Sequence, residues 1–163
     1  MILISHALIG ASAARIISSN PLAAFIVGWA SHYVADAIPH WQYHLKSLMK
    51  EPGSDRTTIG MARDITYVGL DFGIGILLPI YFFSGLGNGN SFLSIVLGAF
   101  GGMFPDALQF FHWLVPKGLL DIHQKFHDWV HTENELHQGS VSGVLLQVAI
   151  VAACVLISKA ITR

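Results

Sequence analysis

The chain has 163 residues, a length that suits one domain. Hydrophobic residues make up 53% and charged residues only 12%, against about 25% charged in soluble domains, so an integral membrane protein is expected. The formal charge of −1 gives no sign of a nucleic-acid partner. The single cysteine, Cys154, excludes an intrachain disulfide and a thiolate metal cluster, and the abnormal count is nine histidines.

Five apolar segments follow one another, to be measured against the ~20 residues that cross a bilayer. Ile2–Ile17 is short, rich in Ala and Ser, and carries Arg15 behind its apolar stretch. That order is unlike a signal peptide, so it reads as a retained helix. A turn at Ser18–Pro21 leads into Leu22–Ile38, with Pro21 suited to a first helical position and Pro39 closing the segment. The polar stretch 40–63 separates this from Asp64–Phe83, which holds one carboxylate, Asp71. After a Gly/Asn loop comes Phe92–Leu108, ending in Pro105-Asp106. Residues 109–138 are aromatic, histidine-rich and acidic, with an interfacial helix expected over 119–135. Val141–Ile161 is the clearest span. The expected fold is therefore all-α: one membrane-embedded domain, residues 1–163, with about five transmembrane helices and an interfacial one.

Five spans place Lys46, Lys50, Arg56, Arg63, Lys117 and Lys125 on one side and Arg15, Lys159 and Arg163 on the other. The positive-inside rule puts the first set in the cytoplasm, as in a bacterial inner membrane. Whatever the orientation, the same topology gathers all nine histidines on one side. His6 lies early in the first segment, His32, His40 and His44 at the end of the second, and His112 beyond the fourth. His123, His127, His131 and His137 occupy the last loop, and Asp71 and Asp106 lie near the same side. Such segregation reads as one site.

The stretch Ser31–Trp41, SHYVADAIPHW, sets His32, Asp36 and His40 four residues apart, which stacks them along one face if the helix continues. Pro39 puts His40 past the helix, so His40 reads as a residue beside the metal rather than on it. Polar groups in such a segment are costly unless partnered and mark a functional site. GWASHYVADAI (28–38) and GAFGGMFPDAL (98–108) share a glycine, seven residues, and Asp-Ala followed by Ile or Leu. Two parallel hairpins, 2–38 and 64–108, then each offer a polar group from the first helix, His6 or Asp71, and an aspartate from the second.

Histidine with aspartate suits a divalent ion, Zn²⁺ first, with Mn²⁺ or Fe²⁺ also served. His6, His32, Asp36, Asp106, His127, His131 and His137 are the candidate ligands, enough for one or two ions, with Asp71 in reserve. The spacing of His123, His127 and His131 fits either a helical ligand pair or an amphipathic surface helix with Phe126, Trp129 and Val130 in the interface. His112, His123 and Asp128 stand as neighbours of the site, and His44 as a loop residue.

The chain resembles the bacterial membrane-bound metal-dependent hydrolases, small inner-membrane proteins similar in motif to zinc-dependent phospholipase C. The resemblance rests on His6-Ala7-Leu8-Ile9-Gly10, on the Gly-rich helix Gly98–Asp106 ending in Pro-Asp, and on His131 and His137 before a final apolar helix. It implies metal-assisted hydrolysis of a phosphoester. A lipid-like substrate in the bilayer would account for the embedding, with Asp71 or a histidine off the ions, His40, taking a proton. The alternative is a membrane protein that binds a divalent metal for transport or sensing without hydrolysis. A transporter should carry polar groups through the membrane thickness, whereas Ile74–Phe83 and Leu145–Ile157 hold no ionisable side chain apart from Tyr81 and Cys154. A purely structural protein with interfacial histidines leaves Asp71 and Asp106 in apolar surroundings without a reason.

Overall fold

The computed structural model describes residues 1–17, 19–43, 45, 47–48, 57–84, 92–115, 117–131 and 141–162. These form six helices and no strand among the described residues: α1 (Leu3–Ile17), α2 (Pro21–Asp36), α3 (Thr58–Phe83), α4 (Phe92–Leu114), α5 (Leu119–Val130) and α6 (Val141–Ile161).

The helix ends follow local chemistry. The Asn20 side chain accepts from Leu22 N at 3.0 Å and Ala23 N at 3.1 Å, with Pro21 entering the first turn, where no N–H is needed. α2 stops at Asp36 because Ile38, the residue before Pro39, is pushed out of the helical region. α3 begins six residues before the apolar run, at a Thr57 cap whose hydroxyl accepts from Gly60 N.

Three helices, α3, α4 and α6, are long and apolar enough to cross a membrane, fewer than the five spans expected. α1 and α2 have 15 and 16 residues. At 1.5 Å per residue they reach about 22–24 Å, short of the ~30 Å hydrocarbon core. Two other boundaries also move. α4 runs through Pro105 to Leu114, so Asp106 lies two turns inside the helix rather than at its end. Pro105 removes the N–H that would meet the Gly101 carbonyl, loosening the ladder without ending it. α5 stops at Val130, and His131 is extended (φ −64°, ψ 127°). His131 therefore leaves the helical line that its spacing suggested.

α4 is the central helix. α1 and α2 pack on it and on each other, α3 rests on α1 and α4, α6 on α1, and α5 on α4. Glycines allow this closeness: a Cβ on Gly10 would stand 2.5 Å from the Gly98 carbonyl oxygen, and one on Gly98 2.6 Å from Ala14 Cβ. Small-residue contacts of this kind let helix backbones approach where apolar surroundings give no hydrophobic drive. The core about them is Ala7, Leu8, Ala11, Ile95, Ala99, Met103, Phe83 and Val155. At the far end of α1 the Arg15 guanidinium lies over the Phe83 ring, 5.2 Å from its centre, and 3.4 Å from the Thr162 carbonyl, tying α1 to α3 and α6. Large apolar side chains on α3 and α6, among them Leu70, Leu77, Leu145 and Leu156, face outward, as a lipid-facing surface requires. α5 exposes Leu119, Ile122, Phe126 and Trp129, spaced three, four and three, while it buries His127 on the opposite face.

Candidate metal centre

Asp36, the last residue of α2, is the hub. It is 2% exposed, and its two oxygens face different partners. Oδ2 lies 3.0 Å from His32 Nε2, one turn earlier on α2, and 3.4 Å from His127 Nε2 on α5. Asp106 Oδ1, from α4, stands 3.8 Å and 3.9 Å from the same two nitrogens, which are 3.2 Å apart. A tetrahedral ion with bonds of about 2.0–2.1 Å sets its donors about 3.3–3.4 Å apart. The distances scatter around that value, so His32, Asp36, Asp106 and His127 could hold a metal ion.

The protonation of His32 suits this. Its Nδ1 is 2.8 Å from the Gly102 carbonyl, which can only accept, so Nδ1 carries the hydrogen. In the neutral ring Nε2 then keeps its lone pair, aimed at the other three donors. Ligating histidines are commonly oriented by such a backbone carbonyl.

Oδ1 of Asp36 faces a second group, Asp36 with His40 and His131. His40 Nε2 is 3.7 Å from it, and His40 donates from Nδ1 to the Ile38 carbonyl at 2.7 Å, so this ring too presents Nε2. The His131 ring stands edge-on to His40, centres 4.9 Å apart. Burial, aided by the Met1 ammonium, lowers the His40 pKa to about 4 and keeps the ring neutral at physiological pH. His40 thus sits on the cluster rather than beside it, although the helix ended before it.

His6 completes the assembly from α1. Its ring stacks on His32, centres 3.9 Å apart. Nε2 lies 3.1 Å from Asp36 Oδ1 and 3.9 Å from Asp106 Oδ2, though its angle does not make a hydrogen bond. A fully buried imidazole with neither nitrogen hydrogen-bonded among the described residues is costly in a folded protein, and a metal ion would satisfy it. The residues present therefore fit a divalent ion. The Met1 ammonium, 2.9 Å from Asp36 Oδ1, already places one cation on this carboxylate.

Asp71 is not among the donors of either group in the described arrangement. It accepts from Leu3 N at 2.8 Å, Ile4 N at 2.9 Å and the Tyr43 hydroxyl at 2.8 Å. Two of these contacts cap α1 from a neighbouring helix, one turn before His6. Gly28 and Gly98 meet at the α2–α4 contact, and Asp36 and Asp106 meet eight residues later. Of the two polar groups on the preceding helices, His6 enters the cluster and Asp71 braces the helix that carries it.

His123 turns aside. Its Nε2 is 3.0 Å from the Tyr33 hydroxyl, which receives the Trp29 indole N–H at 3.1 Å. Burial, with His127 and His32 nearby, holds the His123 pKa below its ordinary value, so the ring can accept from Tyr33. His112 pairs with Asp121 of α5 at 3.6 Å, and Asp128 accepts from Gln124 on the exposed side of α5. His44 and His137 lie outside the described residues.

Three contributors escape sequence reading. The Gly102 carbonyl leaves no residue-type signal. Tyr33, beside His32 in sequence, carries no spacing signal of its own. Asp64 is wholly buried and accepts from Ser47 N and Leu48 N, holding the chain after His40 against α3. Comparison of the chain with known protein families, with curated proteins and with solved structures found no match.

Proposed function

We propose that the protein is a metal-dependent hydrolase embedded in a bacterial-type inner membrane, acting on a phosphoester at the cytoplasmic face. The observation that carries this reading is the convergence of four donor atoms from α2, α4 and α5 at near-tetrahedral spacing, with Asp36 reaching toward a second group through its other oxygen. Zn²⁺ is the favoured ion, because the donors are imidazole and carboxylate without thiolate. Two ions sharing Asp36 are favoured over one, because the two groups use opposite oxygens of that carboxylate.

His32, His127 and Asp106 would hold one ion with Asp36, and His40 and His131 the other, with His6 completing either. A divalent ion there supplies Lewis acidity toward a phosphoryl oxygen and activates water near neutral pH. The Gly102 carbonyl holds the His32 ring in the competent tautomer, the Ile38 carbonyl does the same for His40, and Asp71 fixes the helix that carries His6. α1 and α2, shorter than the hydrocarbon core but packed on α4, are read as the remaining two of five spans, with the bilayer thinned around them. The excess of Lys and Arg on the histidine side supports the orientation.

The test is elemental analysis of purified protein, wild type beside Asp36→Ala, together with hydrolysis of phosphomonoesters and phosphodiesters in added Zn²⁺ or Mn²⁺. The expected result is at least one ion per chain and turnover, both lost in the variant. Wild-type protein with no bound metal would end the metal reading. Bound metal without turnover of any phosphoester would end the hydrolase reading and favour transport or sensing.

A further inference from the structure

Between α3 and α4 lies a cavity of about 870 Å³, near the upper end of the roughly 300–1,000 Å³ range of small-molecule sites. Its walls are mainly apolar, with Ile65, Val68 and Phe72 from α3 and Phe100, Met103 and Phe110 from α4. Part of its remaining wall is the donor cluster: Asp36, Asp106, His127 and His131 line the same space, together with polar groups such as Gln42, Tyr43 and Gln109. Both helices are long and apolar enough to span a membrane, so the apolar wall is built on helices that lipid chains would surround. A wholly polar phosphoester would leave those side chains without apolar partners. A plain hydrocarbon would make no use of the donors. An amphiphile with an apolar tail and an anionic head matches both ends.

We infer that this cavity seats the acyl chain of a membrane lipid whose phosphate headgroup lies against the His/Asp cluster. The headgroup's fate rests on the hydrolase reading above, whereas the seat of the chain rests on the cavity alone. Gly69 determines how far the chain reaches. It lines the cavity, and a Cβ built on it meets nothing within 4 Å, so a larger side chain there finds open space at the cavity wall. Gly73, one turn along α3, is equally free of neighbours but is not part of the wall. Leucine at either position strengthens the helix, so both variants should fold and the pair forms a matched test.

Wild-type, Gly69→Leu and Gly73→Leu proteins in detergent micelles are titrated with a 16-carbon monoacylglycerol phosphate. Inorganic phosphate and hexadecanol serve as separate arms. Binding is read by native mass spectrometry, and metal content is measured alongside. A leucine at Gly69 displaces two or three methylenes of the chain, and at roughly fourfold per buried methylene binding should weaken by more than about tenfold. Gly73→Leu should bind as wild type, all three proteins should carry the same metal, and both control ligands should bind more weakly than the lipid. Equal binding by Gly69→Leu and Gly73→Leu overturns the inference. So does inorganic phosphate binding as tightly as the lipid, because the chain then adds nothing. Binding that depends on Gly69 without any hydrolysis leaves the inference standing and removes the hydrolase. Hydrolysis of a soluble phosphoester without Gly69-dependent lipid binding does the reverse.

Discussion

A single methyl group at Gly28 should dismantle the centre from a distance. Gly28 is one turn before His32, at the closest approach of α2 to α4. A Cβ there would land on the Gly98 carbonyl oxygen, with Gly98 C at 3.0 Å and Gly102 N at 3.1 Å behind it, all backbone atoms with no rotamer to adjust. Ordinary contact near 3.5 Å requires the helices to part by roughly 1 Å. The bond from His32 Nδ1 to the Gly102 carbonyl, now 2.8 Å, would stretch past the ~3.2 Å limit of a hydrogen bond. The 3.8 Å separation of His32 from Asp106 would open too. Overpacking costs about 1–3 kcal/mol and the lost bond about 1 kcal/mol, against about 1 kcal/mol gained from helix propensity. The net loss of about 1–3 kcal/mol corresponds to a fall in Tm of roughly 3–10 °C. The same substitution at Gly73, where a Cβ meets nothing within 4 Å, should instead raise Tm slightly, since only the gain of up to about 1 kcal/mol in helix propensity remains. Thermal unfolding of Gly28→Ala and Gly73→Ala in the same micelles, with metal content measured on each, decides the matter. If both variants melt above wild type and bind metal equally, the close-packed account of the site is wrong.

The remaining expectations concern single groups. Asp36→Ala should lower metal affinity more than Asp106→Ala, because Asp36 serves both donor groups while Asp106 is 23% exposed and stands farther from the histidines. The loss should exceed the roughly 10–100-fold brought by removing an outer partner, and zinc titration with a competing chelator ranks the two. Asp71→Ala strips two backbone caps and the Tyr43 bond, so stability should fall by about 2 kcal/mol. An Asp71→Ala protein that keeps its Tm and metal but loses turnover would restore Asp71 as a proton acceptor. Trp129 is 80% exposed on the apolar side of α5, so brominated lipids should quench its fluorescence, and Trp129→Phe should remove that share of the quenching. Unchanged quenching in the variant would place α5 away from the bilayer.

Much of this protein could be read from residue order alone. Low charge and long apolar runs pointed to helices that satisfy their own backbone in lipid, and three of the described helices are long and apolar enough to cross a membrane. The one-sided histidines and the paired glycine–aspartate segments singled out Asp36 and Asp106, and the structure brings both into one cluster with His6, His32 and His127. Helix ends were read less well. Asp106 looked like the end of its helix but lies inside α4, and His131 looked like a helical continuation but lies past the end of α5. Both depend on packing that no local pattern records. Tertiary structure alone separated the carboxylates by role. Asp36 and Asp71 are each a lone acid near the end of an apolar segment or within one, yet one meets imidazole nitrogens and the other meets the free N–H groups of α1. A carboxylate's chemistry follows from the donors packed around it, and those donors come from helices distant in the chain.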